Sequence, residues 1–346
     1  MSEADQDPAE QPKPRRLLAL FKRLIIVGLL AVSATALAGY LYSDVMRTQK
    51  GPHTDTVLFD LSPGTGLFKL RHDLHRAGVI SHPWQLQLAV LFSADEFVPK
   101  AGEYELPAQA SLDQIMQILH AGRVFQRKLT IIEGWRGYDV MMALNDAEAM
   151  SSVILSPPEE GSVFPDTYFY TKGTDRRVLL EQMQAKMEMT LAEIWAERAP
   201  NLPLRQPADL VKLASIIEKE TGQSGEKPLV SSVFINRLNK DMRLQSDPTV
   251  AYGLAHDKPL PKVLTKSDLA KRHRWNTYRF KGLPKTPIAN PGHLSLYAAA
   301  HPEDTDFLYF VADGKGGHNF AKTLDAHNRN VRQYRRVIRK NKASTD

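Results

Sequence analysis

Leu24–Tyr42 is an uninterrupted run of nineteen uncharged residues, and no other feature restricts the architecture of this chain as much. As a helix, such a run comes close to the thickness of a bilayer's hydrocarbon core. Arg15, Arg16, Lys22 and Arg23 precede it, and a weaker flank of Asp44, Arg47 and Lys50 follows. That bias predicts a cytoplasmic N-terminus (residues 1–23), an anchor over 24–42 and the bulk of the chain on the far side. Ala36-Leu37-Ala38 also has the small-x-small form of a signal cleavage site. The uncharged run continues past it to Tyr42, and Tyr40 and Tyr42 suit an interface, so a retained anchor is expected. Met1–Pro14 is polar and acidic and reads as a disordered tail.

A chain of 346 residues has room for about two domains. With 42% hydrophobic and 24% charged residues it is an ordinary globular chain plus an anchor. The net charge of +6 is modest, and much of it sits near the C-terminus, at Arg329, Arg332, Arg335, Arg336 and Arg339. On an extracytoplasmic end this reads as a solvated basic helix, and no nucleic-acid partner is expected. The absence of cysteine excludes disulfides, thiolate catalysis and cysteine metal sites. His72 and His75 have no third ligand and no HExxH pattern around them, so neither metal nor cofactor is expected. Gly314–Gly317 lacks the spacing of a phosphate loop and reads as a hairpin turn.

The pattern is α+β. Residues 44–53 read as a polar linker. A strand Val57–Leu61, helices over 67–77 and 83–92, a strand Glu103–Leu106 and a helix capped by Ser111 make a small module over 54–125. A larger domain over 126–340 follows. It opens with a strand Arg127–Glu133 and a helix Tyr138–Asn145, then a long helix Arg176–Ala199 whose stripe of Leu179, Met183, Met187 and Leu191 predicts core packing. Helices over 208–220 and 228–240, a strand Phe307–Val311 and the basic helix complete it.

In the helix over 208–220, Leu210, Leu213, Ala214 and Ile217 recur at helical spacing, while Lys212, Ser215 and Lys219 point away. At 100° per residue, Glu218 and Glu220 fall on opposite flanks of that stripe and cannot form a side-by-side acid pair. Periodicity does not choose between them. Asn236, Gln245, Asp247 and Tyr252 follow within about forty residues, a density of hydrogen-bonding groups suited to sugars. Asp247-Pro248 reads as a turn bracketed by Gln245 and Tyr252, and Asn290 as a turn residue.

The run LASIIEKET, SSVFINRL, MRLQSDPTVAYGL, WNTY, GLPKTPIANPG and AAAHPEDTDFLYFVADGKGGHNF resembles the endolytic murein transglycosylases of the MltG or YceG-like family, over about residues 54–334. The resemblance implies an enzyme anchored in the inner membrane that cuts nascent peptidoglycan strands at the MurNAc–GlcNAc bond, with wall synthases as candidate partners. It implies a LysM-like first module, open to glycan binding or to a scaffold role. It makes Glu218 the essential glutamate, with Glu220 in a structural role and His318 unassigned, and sets Asn236, Gln245, Asp247, Tyr252, Asn276 and Tyr278 along the substrate cleft. A single carboxyl suffices for such a lyase: it protonates the leaving oxygen, then accepts the proton of the sugar's own 6-hydroxyl as a 1,6-anhydro ring closes. Two loops depart from the family's wording, at His273-Arg274-Trp275 and at Lys285-Thr286. Two rivals stay open. One is a muramidase using Glu218 with Asp247 as second carboxylate; the other is a non-catalytic wall-binding scaffold.

Overall fold

Helix α1 (Pro14–Thr48) runs without a break past the end of the uncharged stretch. It is long and apolar enough to cross a membrane from Leu18 onward. The computed structural model describes residues 14–93, 95–255, 260–261 and 263–343; the tail reading over residues 1–13 lies outside them. The linker expected at 44–53 is helical up to Thr48. Packing overrides its polarity there, because Met46 enters a hydrophobic core and Ser43 is buried. Tyr42 stacks on Trp84 at 6.3 Å.

The chain divides into two compact units, the first ending at Phe125 and the second beginning at Gln126. In the first, β1 (Val57–Leu61) is followed by α2 (Leu67–Arg76), α3 (Trp84–Leu91), β2 (Gly102–Leu106) and α4 (Leu112–Ala121). The two strands pair antiparallel, Val57 opposite Leu106 and Leu61 opposite Gly102. Leu70, Leu74, Leu86, Tyr104, Ile115 and Leu119 fill the core beneath them. Ser111 caps α4 in a capping box with Gln114, which satisfies two of the helix's orphan N–H groups.

The second unit contains β3 (Arg127–Thr130), α5 (Gly137–Asp146), β4 (Thr167–Tyr170), α6 (Arg176–Ala196), α7 (Pro207–Glu220), α8 (Lys227–Asn239), α9 (Asp247–Ala255), α10 (Lys266–Ala270), α11 (His293–Ala300), β5 (Tyr309–Ala312), β6 (His318–Ala321) and α12 (Leu324–Ala343). Strands β3 and β4 pair antiparallel, as do β5 and β6. One core, with Ile131, Val140, Leu144, Leu179 and Met183, lies under β3–β4. A larger one surrounds α7. α6, α8, α9 and α11 all pack on α7, and its stripe of Leu210, Leu213, Ala214 and Ile217 is fully buried. Ser215, expected to point away from the packed face, is buried too. Its hydroxyl donates to the Lys212 carbonyl and accepts the Ile288 N–H, so the helix is covered on more sides than its stripe implies.

Arg176 holds the α5–α6 corner. Its buried guanidinium donates to the carbonyls of Leu144, Asn145, Ala147, Met150, Ser151 and Ser152. A lysine offers neither the fork nor the number of donors. Arg176→Lys should therefore lower unfolding stability by about 2–3 kcal/mol, read from the denaturant midpoint.

Candidate active site

The two glutamates of α7 have different environments. The side chain of Glu218 is 8% exposed and that of its partner Lys227 only 4%. Lys227 Nζ lies 3.1 and 3.0 Å from the two carboxylate oxygens. The Ser295 hydroxyl donates to Oε2 at 2.7 Å and the Gly292 N–H at 3.1 Å. Lys227 opens α8 and Gly292 caps α11, so Glu218 neutralises the start of two helices and pins both to α7. It borders none of the groove described next.

Glu220, the last residue of α7, borders a groove of about 450 Å³ together with Arg237, Gln245, Asp247, Tyr278 and Tyr309. Burial pushes its carboxyl up from an ordinary 4.5 to about 7, and the Asp247 carboxylate adds to the effect. A hydrogen bond from Ser246 Oγ at 2.5 Å and the charges of His318 and Arg237 act the other way. The negative end of the α7 dipole also disfavours an anion there. Near neutrality this group therefore holds a proton about half the time, the poise an acid needs if it must later act as a base.

The surrounding groups are fixed by the backbone. Gln245 takes a left-handed φ of 54°, and its N–H donates to the Thr277 carbonyl at 3.2 Å. The Ser246 N–H donates to Thr277 Oγ1 at 3.0 Å. Such strain at a non-glycine residue persists only where its surroundings hold it. Asp247 and Tyr278 join through a 2.5 Å hydrogen bond from the phenol. Arg237, 7% exposed, donates to the carbonyls of Leu244 and Leu308 at 2.7 Å each and lies 5.2 Å from the centre of the Tyr309 ring. It supplies a stationary positive charge beside the acid.

Asp247-Pro248, expected as a turn, instead opens α9. Pro248 sits where the helix's first N–H groups have no partner, so proline favours the helix start. Gln245, Asp247 and Tyr278 meet Glu220 in the groove. Asn236 lies elsewhere, its amide donating to the carbonyls of Thr305 and Phe307 at 2.7 and 3.0 Å. Asn276 is buried, donating to the carbonyls of Leu269 and Lys271 and accepting the Tyr278 N–H, so it shapes the loop that presents Tyr278. Tyr252 is buried and borders a different hollow. Asn290 is also buried, bridging Val163 N–H and the Trp135 carbonyl. His318 pairs with Glu226 at 2.7 Å and fastens the β5–β6 hairpin to the segment that follows α7. Arg237, Ser246 and Tyr309 were absent from the sequence-based site. Arg237 follows Asn236 on a predicted helix and has no signal of its own, whereas Glu220 had one, its place at a helix C-terminus.

A family model described as the YceG-like family matches residues 59–333. The chain belongs to the YceG-like family. The match runs through both compact units. The endolytic murein transglycosylase of Bacillus subtilis (strain 168) is 31% identical over 312 residues, 81% of this chain and 85% of that one. That of Streptococcus pneumoniae serotype 2 is 31% identical over 181 residues, 51% of this chain and 32% of its own length. A yceG-like protein from Listeria monocytogenes, known from a crystal structure, has a TM-score of 0.51 and 28% identity, covering 80% of this chain and 98% of its own. The α+β architecture is thus shared with a solved YceG-like structure.

Proposed function

We propose that this YceG-like chain is an endolytic lytic transglycosylase acting on peptidoglycan glycan strands, and that Glu220 rather than Glu218 is its acid. The observation that carries the choice is the contrast between the two carboxyls. Glu218 is taken up by Lys227, Ser295 and Gly292, whereas Glu220 borders a groove and is held near 7. Glu220 gives its proton to the oxygen that links C1 of MurNAc to C4 of GlcNAc. The C1–O bond breaks, the GlcNAc leaves with a free 4-hydroxyl, and positive charge develops at C1. The carboxylate so formed, favoured by Arg237, removes the proton from the 6-hydroxyl of the same MurNAc. O6 bonds to C1, the 1,6-anhydro ring closes and Glu220 is protonated again. Gln245, Asp247 and Tyr278 supply acceptors and donors for sugar hydroxyls.

Asp247 keeps one rival in view, because its carboxylate borders the same groove. In a muramidase it would activate water. Digestion of purified glycan strands in ¹⁸O-water separates the two by mass spectrometry. The transglycosylase leaves anhydromuramyl ends without ¹⁸O; reducing ends carrying ¹⁸O would establish hydrolysis instead. We further propose that α1 anchors the chain in the inner membrane with its N-terminus cytoplasmic, that the unit ending at Phe125 is a LysM-like module, and that wall synthases are neighbours.

A further inference from the structure

A second hollow, of about 590 Å³, lies in the same unit and plays no part in the proton transfers above. Its walls are apolar and aromatic: Tyr138, Pro157, Pro158, Tyr252, Trp275 and Pro287. Polar groups stand among them at a few points, the carboxyls of Glu159 and Glu160, the hydroxyl of Thr286 and the ammonium of Lys285. The shape is tightly built. Gly137 packs so closely on the Pro158 carbonyl that a Cβ there would lie 2.1 Å from the oxygen. Gly161, at φ 76°, leaves no room for a Cβ against Val211 and Pro287. Trp275 meets Tyr252 edge-on at 5.5 Å and donates from Nε1 to Thr286 Oγ1 at 2.8 Å.

Glu160 is the unusual component. Its Oε2 accepts the Gly137 N–H at 3.0 Å, and Tyr252 is a second hydrogen-bonding neighbour. Burial nevertheless pushes its carboxyl up to about 7. Its bond to the Gly137 N–H secures the start of α5, yet keeping such a group among prolines and rings opposes folding above its unfolded range. A ligand that offers both an acceptor and a donor suits a carboxyl placed in such a wall. A pyranose presents C–H-rich faces to aromatic and proline walls. An acetamido group adds a methyl for the apolar wall and both an N–H and a C=O for Glu160 and its neighbours.

The hollow is also tied to the catalytic groove. Asp247 opens α9 at the groove, and Tyr252, five residues or about 7–8 Å further along the helix, borders the hollow. Trp275 and Tyr278 divide in the same way on one loop. Both loops whose wording departs from the family end in its wall, through Trp275 and through Lys285 and Thr286.

We propose that this hollow is a second saccharide subsite, taking an N-acetylhexosamine ring of a glycan strand whose scissile bond lies at Glu220. The proposal rests on the transglycosylase reading for the identity of the strand. The probe is chitotetraose, an uncharged oligomer of N-acetylglucosamine without lactyl groups or peptide, titrated into the full chain carrying Glu220→Gln. The chain has four tryptophans, of which Trp275 is the one in the hollow. Binding should quench tryptophan fluorescence, and Trp275→Phe should remove most of that quenching. Tyr138→Ala, at a half-exposed wall position, should weaken binding about tenfold with the melting temperature little changed. On strands, in the active protein, it should raise KM more than it lowers kcat. Cellotetraose, which lacks the acetamido group, should bind at least tenfold more weakly than chitotetraose. Equal affinity for the two sugars would overturn the acetamido assignment. Wild-type binding and quenching in both variants would overturn the subsite, and if Trp275→Phe fails to fold, Tyr138→Ala decides alone. The two readings fail separately. Cleavage by Glu220→Gln with binding lost in the hollow variants sinks only the acid, and an inactive Glu220→Gln with unchanged binding in those variants sinks only the subsite.

Discussion

Glu220→Gln should lower the rate of glycan-strand cleavage by about 10²–10⁴-fold, the range typical of a removed general acid, while the protein stays folded. Glutamine keeps the shape and still accepts the Ser246 hydrogen bond. It cannot release a proton. The same substitution has a stability signature that a surface glutamate lacks. The folded carboxyl at about 7 lies above its ordinary 4.5, so the native state binds more protons than the unfolded state between those values. Stability therefore falls as pH rises from about 4.5 to 7 and is level on either side. Glu220→Gln removes this loss. Relative to wild type it should gain on the order of 2–3 kcal/mol between pH 4 and pH 8, read from denaturant midpoints at the two pH values. In wild type, kcat/KM should fall with an alkaline limb near pH 7.

Glu218→Ala should give the opposite pattern, a loss of about 3–5 kcal/mol in stability, because it leaves Lys227 buried without its counter-charge. The Ser295 hydroxyl and the Gly292 N–H lose their acceptor at the same time. Activity per folded molecule should fall far less than in Glu220→Gln, since Glu218 borders none of the groove. Circular dichroism melts, paired with turnover normalised to the folded fraction, distinguish the two glutamates. A Glu218→Ala protein that melts like wild type yet cuts no glycan would return the acid to Glu218.

The elements around the site were readable where the local pattern is strong. The stripes of α6 and α7 and the Ser111 cap of α4 came from spacing alone. Strand β4 and helices α9 and α11 were not read, because short segments take their form from contacts distant in sequence. Asp247-Pro248 looked like a turn by composition and became a helix start. The flanking positions of Glu218 and Glu220 were also legible, as 100° steps around a helix. Their environments were not: each depends on the groups that α8, α11 and the 244–247 loop bring up from elsewhere in the chain. The burial of Asn276 and Asn290 escaped for the same reason. A polar residue in a loop reads as exposed until its hydrogen-bond partners are known.

The most direct test is to watch the Glu220 proton itself. With ¹³C-labelled glutamate side chains, the carboxyl resonance present in wild type and missing from Glu220→Gln can be followed by NMR from pH 3 to pH 9. A midpoint near 7 is the predicted result. A midpoint in the ordinary carboxylate range, near 4 to 5, would leave no proton to donate at neutral pH and would contradict the assignment.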